Sequence, residues 1–257
     1  MTSRRDTRLV AVGAWMIAWS ALAGAARIAL GWPGEGGSQA PVRVEGIVTY
    51  TGPLPEPIPI TEAGTVRQLI EIEPKTKGLK DAVVWLDGVP AADKPATPSR
   101  ANPIQMDQRD YRFVPHVLAV DEGQEVEFLN SDVANHGVSA ASFEAENRFN
   151  MTTTPGGSYK HRFAASKRPV AIGCPIHAAM SAWIYVFDHP YHTVTDETGS
   201  FHLPPVPPGC YTLRVRHPDG GMDRSQELIV RPATPVQLRI EFGGKDRNAR
   251  ARPKPTR

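Results

Sequence analysis

The sequence predicts an all-β protein, and three observations carry that prediction. The apolar residues fall in many short runs, several of them alternating with polar residues at the two-residue period of a strand. The 25 prolines and 22 glycines cluster between those runs, as turns between short strands require. No convincing amphipathic helix interrupts them. Such elements bury their apolar faces best as packed antiparallel sheets, so the expected architecture is a β-sandwich. The 257 residues suffice for one large or two small domains. A net charge of only +2 makes no electrostatic case for nucleic acid as a partner.

Arg4, Arg5 and Arg8 precede an apolar run from Leu9 to Ala26, with small-x-small sites at Ala21-Leu22-Ala23 and Ala23-Gly24-Ala25. Residues 1–32 therefore read as a signal peptide or a membrane anchor. The eighteen-residue run reaches the lower limit for a spanning helix, so cleavage and retention both stay open. Either fate exports the rest of the chain, and the expected location is the periplasm. Residues 33–41 form a glycine-rich linker. Val42 to Thr51 alternates as a strand, Gly52-Pro53 ends it, and Leu54 to Ile60 is dense in proline. Ala82 to Leu86 is a second apolar run, and the polar stretch Asp93 to Asn102 is a natural boundary.

Beyond Pro103 the texture changes. Phe113 to Val120 is an extended run turned by Asp121-Glu122-Gly123. Val126 and Phe128 share one face of the next strand, and the loop from Asn130 to His136 follows. Ser139 to Pro155 is less regular. Tyr159, His161 and Phe163 share a face, Val170 to Ile172 is a short strand, and Trp183 to Phe187 is another. From Thr193 onward come further strands, of which Val236 to Phe242 alternates most regularly. The basic tail, 244–257, reads as disordered.

The chemistry concentrates in Gly173-Cys174-Pro175-Ile176-His177-Ala178-Ala179-Met180. A thiol, an imidazole and a thioether stand three residues apart from one another. On a tight loop at a strand end, that spacing lets all three point at one centre. A thiolate, two imidazoles and a weak thioether are the donor set of a blue-copper site. The second imidazole has to come from elsewhere, and His136 is the best candidate. Each residue also has a plainer reading. Cys174 pairs with Cys210 as a disulfide, Met180 fills a core, and His177 is a surface group. His116 and His161 read as packing or surface residues, and His189 and His192 as shaping an interdomain junction.

The block from Phe113 to Asp188 resembles the cupredoxins, the blue-copper proteins, and amicyanin more than plastocyanin. The features that match in order are Phe113-Val114-Pro115, Asp121-Glu122-Gly123, Gly157-Ser158-Tyr159 and the Cys-x-x-His-x-x-Met loop. The resemblance implies a Greek-key β-sandwich over residues 101–190. It also implies one type 1 copper, with His136, Cys174 and His177 as strong ligands and Met180 as the axial one. Two positions depart from the family. Gly137 stands where an asparagine usually follows the first histidine, and Ile172 where an aromatic is common. A second resemblance, to the transthyretin-like or carboxypeptidase-regulatory domains, rests on Thr195-Asp196-Glu197-Thr198-Gly199-Ser200-Phe201 and Pro207-Pro208-Gly209-Cys210-Tyr211. Gly46-Ile47-Val48 and Gly52-Pro53-Leu54-Pro55 supply that family's opening pattern. Residues 42–98 and 191–243 are therefore expected to form one discontinuous domain with the cupredoxin inserted.

With all ligand positions filled, the resemblance implies a one-electron carrier and no enzyme. It also implies a protein redox partner docking near His177. Chains of this composite kind resemble methylamine-utilisation proteins. The alternatives are a copper sensor or store, and a metal-free binding or scaffold module of the cell envelope. Reversible redox favours the carrier, tight Cu(I) binding without it favours the store, and a disulfide at Cys174 favours the scaffold.

Overall fold

The computed structural model describes residues 40–94 and 103–248, and these fall in one compact unit with two separate apolar cores. All regular structure among them is β-strand apart from short 3₁₀ turns. No helix among the described residues is long and apolar enough to cross a membrane. The expected signal or anchor over 1–32 and the linker up to residue 39 lie outside the described residues.

The central sandwich packs a five-stranded sheet on a four-stranded one. The first runs in the order Phe149–Thr153, His136–Ala141, Val170–Gly173, Ser181–Phe187, Val117–Asp121. The second runs Ser158–Arg162, Glu125–Asn130, Ile104–Arg109, Arg112–Val114. Alternation places Val126 and Phe128 between the sheets with Met106, Val138, Phe163 and Ile184. Two details differ from the sequence reading. The run from Phe113 to Val120 is two strands, one in each sheet, because Pro115 offers no N–H to continue the ladder. The chain changes sheet there, so Val117–Asp121 enters parallel to Ser181–Phe187 and the sandwich is not purely antiparallel. The irregular stretch after Ser139 contains the edge strand Phe149–Thr153, whose exposed middle residues hide its period.

The second sandwich faces a three-stranded sheet, Ser200–His202, Val44–Tyr50, Val236–Phe242, with a four-stranded one, His192–Val194, Val83–Asp87, Gly209–His217, Met222–Val230. Val44–Tyr50 thus pairs with strands far along the chain, antiparallel to one and parallel to the other. Gly46 is required at that parallel contact, since a Cβ there would lie 2.3 Å from the Leu238 carbonyl oxygen. Val44, Val48, Tyr50, Leu213 and Phe242 fill the core. The expected disorder from residue 244 is corrected for its first residues. Gly244–Asp246 is a 3₁₀ turn, with Arg224 on Asp246 at 3.3 Å and the Asn248 N–H on the Gly220 carbonyl at 3.2 Å.

Ser181–Phe187 links the two cores. Ala182, Ile184 and Val186 face the central sandwich. Tyr185, with Trp183 and Phe187, faces Val83 and Trp85 of the second one. Trp85 lies 6.2 Å from the Tyr185 ring and 5.6 Å from that of Phe187. Beside this apolar seam lies a buried polar cluster. Asp219 accepts hydrogen bonds from Arg67 Nη1 at 3.0 Å, His116 Nε2 at 2.8 Å and Trp183 Nε1 at 2.8 Å. Arg67 Nη2 also donates to Ser181 Oγ at 3.0 Å, immediately after Met180. His192 bonds Asp121 across the same seam at 2.9 Å.

Candidate metal centre

Cys174 leaves the end of Val170–Gly173, and Met180 precedes the start of Ser181–Phe187. These strands are antiparallel neighbours, with Gly173 opposite Ser181, so the intervening residues close a tight loop. The Cys174 N–H donates to the Met180 carbonyl at 3.1 Å, and the Met180 N–H to the His177 carbonyl at 3.0 Å. His136 opens the neighbouring strand His136–Ala141, which pairs with Val170–Gly173. Sheet pairing therefore brings residues 136 and 174 to the same end of the sandwich.

His136, Cys174 and His177 present ligand atoms that all lie within 4.8 Å of one another. His136 Nδ1 is 3.0 Å from His177 Nδ1, and Cys174 Sγ is 3.6 Å from His177 Nδ1. This is the only such group of histidine, cysteine and acidic side chains among the described residues. Cys174 and His136 are buried and His177 is half-buried. Burial, helped by the neighbouring His136, holds the His177 imidazole below its ordinary pKa. It therefore keeps the lone pair that a metal needs near neutral pH. Met180 is buried in the same core as Cys174. Both cysteines are free thiols, Cys174 buried and Cys210 exposed, which removes the disulfide reading.

Backbone donors and a close approach hold the two loops together. The Gly137 N–H donates to Cys174 Sγ at 3.2 Å, and Gln108 Nε2 donates to the Gly137 carbonyl at 2.9 Å. A Cβ on Gly137 would lie 2.6 Å from Pro175 Cδ, so glycine lets the loops meet. The departure at Gly137 thus has a local cause: Pro175 occupies the space a side chain would need. Asn130 organises the first loop, donating to the Ala134 and Thr153 carbonyls at 2.9 Å each and accepting from the Asp132 N–H at 3.1 Å.

Sequence reasoning missed three residues here. Gln108 lies on Ile104–Arg109, a strand whose polar composition disguised it. Asp132 accepts from His136 Nε2 at 2.8 Å, and its only signal was an acid four residues before a candidate ligand. Tyr111 stands edge-on to both imidazoles, with ring centroids 5.4 Å from His136 and 5.0 Å from His177. His116, read as packing or surface, belongs to the buried Asp219 cluster instead. His161 packs among Phe149, Tyr159 and Phe163, and His189 and His192 line the seam between the sandwiches.

No protein-family model matches the chain, and no curated protein matches its sequence. Solved structures do. The chain is similar to a Cu-containing nitrite reductase from Thermus scotoductus SA-01, at 24% identity and a TM-score of 0.31, over 38% of this chain and 27% of that one. It thus spans about a quarter of that reductase chain. It is also similar to a reduced Cu(I) form of an amicyanin variant, at 15% identity and a TM-score of 0.31, over 40% of this chain and 98% of that one. A purple cupredoxin from Nitrosopumilus maritimus matches at 17% identity and a TM-score of 0.29, over 33% and 99%. The expectation that the chain is no enzyme is corrected: a copper-containing nitrite reductase is among the solved structures it is similar to. The His–Cys–His cluster lies at one end of the sandwich formed by the five-stranded and the four-stranded sheet.

Proposed function

We propose that this chain is a one-electron carrier with a single type 1 copper, held by His136 Nδ1, Cys174 Sγ and His177 Nδ1, with Met180 as a weak fourth ligand. The observation that carries the reading is the convergence of one thiol and two imidazoles on one centre inside a rigid sandwich. The donor chemistry fits: a soft thiolate with imidazoles suits copper, and a hard cation would ask for carboxylates. Held there, copper would supply one-electron exchange between Cu(I) and Cu(II). The chain's own residues keep that centre from rearranging. The Gly137 N–H stabilises negative charge on Cys174 Sγ, and the loop bonds between Cys174, His177 and Met180 hold the ligands in register. Buried His136 and Cys174 exclude water, while half-buried His177 offers the route outward.

Exposed Ile176 and Val133 stand in the two loops that carry the ligands, and they support a redox partner docking beside His177. Export to the periplasm rests on the N-terminal run described above. The second sandwich we read as a transthyretin-like structural module, discontinuous over 42–98 and 191–243. The pairing of Val44–Tyr50 with Val236–Phe242 supports this, as do two turns. Asp196 Oδ1 accepts from the Thr198 and Ser200 N–H groups, and Tyr211 Oη donates to the Pro207 carbonyl at 3.0 Å. Voltammetry of the copper-loaded protein tests the carrier reading. A reversible one-electron wave is expected, and tight Cu(I) binding without one contradicts it.

A further inference from the structure

We propose that Asp132 is a positioning residue of this centre. Its single carboxylate sets the His136 imidazole and also seats the Tyr111 ring over both histidines. The inference rests on the copper reading of the cluster, and its test separates the two.

An ionised carboxylate only accepts hydrogen bonds, and a neutral imidazole has one donor and one acceptor nitrogen. His136 Nε2 lies 2.8 Å from Asp132 Oδ2, so the ring hydrogen belongs on Nε2. That leaves the Nδ1 lone pair directed at His177 Nδ1 and toward Cys174. The imidazole is fully buried and the carboxylate only 10% exposed, so water does not compete for this bond. A carboxylate on the far nitrogen of a metal-binding imidazole also makes the near nitrogen a stronger donor.

The same carboxylate holds a second element. Asp132 Oδ1 accepts from the Asp110 N–H at 2.7 Å, and Oδ2 from the Tyr111 N–H at 3.0 Å. Asp110 and Tyr111 have φ of 52° and 55°, a left-handed pair that residues with a Cβ rarely adopt. Two N–H bonds to one acceptor hold that turn. The turn places the Tyr111 ring edge-on to His136 and His177, at interplanar angles of 90° and 87°. One side chain therefore orients a ligand and seats its cover. A plain loop-closing aspartate would need only the two backbone bonds.

Asp132→Asn removes the charge and keeps one oxygen for the Asp110 N–H, while an amide NH2 replaces the Oδ2 that the Tyr111 N–H and His136 Nε2 share. The first readout is the ring-nitrogen NMR spectrum of the copper-free, full-length protein. The parent is expected to carry the His136 hydrogen on Nε2, and the variant to shift population toward Nδ1. The second is Cu(II) affinity, expected to fall about 10–100-fold. With Cu(I) affinity held, the midpoint potential then rises by about 59 mV for each tenfold loss, because the oxidised form loses more support. A parent carrying the hydrogen on Nδ1 overturns the proposal without any variant. A variant with unchanged tautomer and unchanged Cu(II) affinity overturns it as well. If the tautomer shifts as expected but neither protein binds copper, the positioning role stands and the copper reading falls.

Discussion

Replacing Asp219 with alanine removes the one acceptor that joins three donors at the seam between the sandwiches. Arg67, His116 and Trp183 all donate to it, and its carboxylate is 7% exposed. The Arg67 side chain, itself 8% exposed, would keep Ser181 Oγ as a partner but lose its counter-charge. Breaking a buried ion pair from one side costs about 3–5 kcal/mol, because a charge is left desolvated and unpaired. In a folded body of this size each kcal/mol lowers Tm by about 2–4 °C, so a fall of about 6–20 °C is expected. Arg67→Met in the same background removes the orphan charge. The double variant should therefore be more stable than the two single losses summed, by about 1–3 kcal/mol. Thermal and urea unfolding of the four proteins measure this cycle. Strictly additive losses, or a loss below about 0.5 kcal/mol for Asp219→Ala, would show that Asp219 does not hold Arg67 as a buried ion pair. The pH dependence follows from the same contacts. Burial alone would raise the Asp219 pKa, but the His116 hydrogen bond, the charges of His116 and Arg67 and the Trp183 bond hold it well below the carboxylate range. A folded-state value below the unfolded one gives stability that is present above the unfolded pKa and is lost as pH falls through the folded one.

Two further outcomes follow. His217 is wholly buried, and burial pushes its pKa down to about 4, so the unfolded chain takes up the proton first as pH falls below 6.5. Stability is therefore expected to drop between these values by up to about 3 kcal/mol, and His217→Gln should flatten the urea-midpoint profile between pH 7 and about 4.5, whereas a parent profile flat over that range contradicts this. Gly137→Ala puts a Cβ against Pro175 Cδ and parts the ligand loops, so the copper-free protein should lose about 1–3 kcal/mol and the Gly137 N–H bond to the thiolate should weaken. Unchanged thermal stability and an unchanged copper spectrum would count against that contact.

What could be read from the sequence was local. Cys174, His177 and Met180 stand at even spacing on one loop, and the alternation of Val236 to Phe242 named its own buried face. His136 was found by its place after a turn and a strand. The remaining features depend on residues that chain distance separates. Arg67, His116 and Asp219 meet only because two sandwiches pack along Ser181–Phe187, and no short motif announces three such positions. Ile104–Arg109 and Phe149–Thr153 were passed over because their polar residues face solvent or serve the site, which blurs the strand period. Asp132 and Tyr111 escaped for a different reason. Their roles depend on a left-handed turn at Asp110–Tyr111 that neither residue favours alone and that the Asp132 carboxylate holds in place.

The most direct test of the copper centre is the visible absorption spectrum of the purified protein titrated with Cu(II), beside its Cys174→Ser variant. The structure has a buried free thiol with two imidazole nitrogens converging on it. An intense thiolate-to-copper charge-transfer band is expected in the parent, saturating at one copper per chain and absent from the variant. A parent that binds Cu(II) without that band, or a variant that keeps it, would contradict the assignment of Cys174 as the ligand.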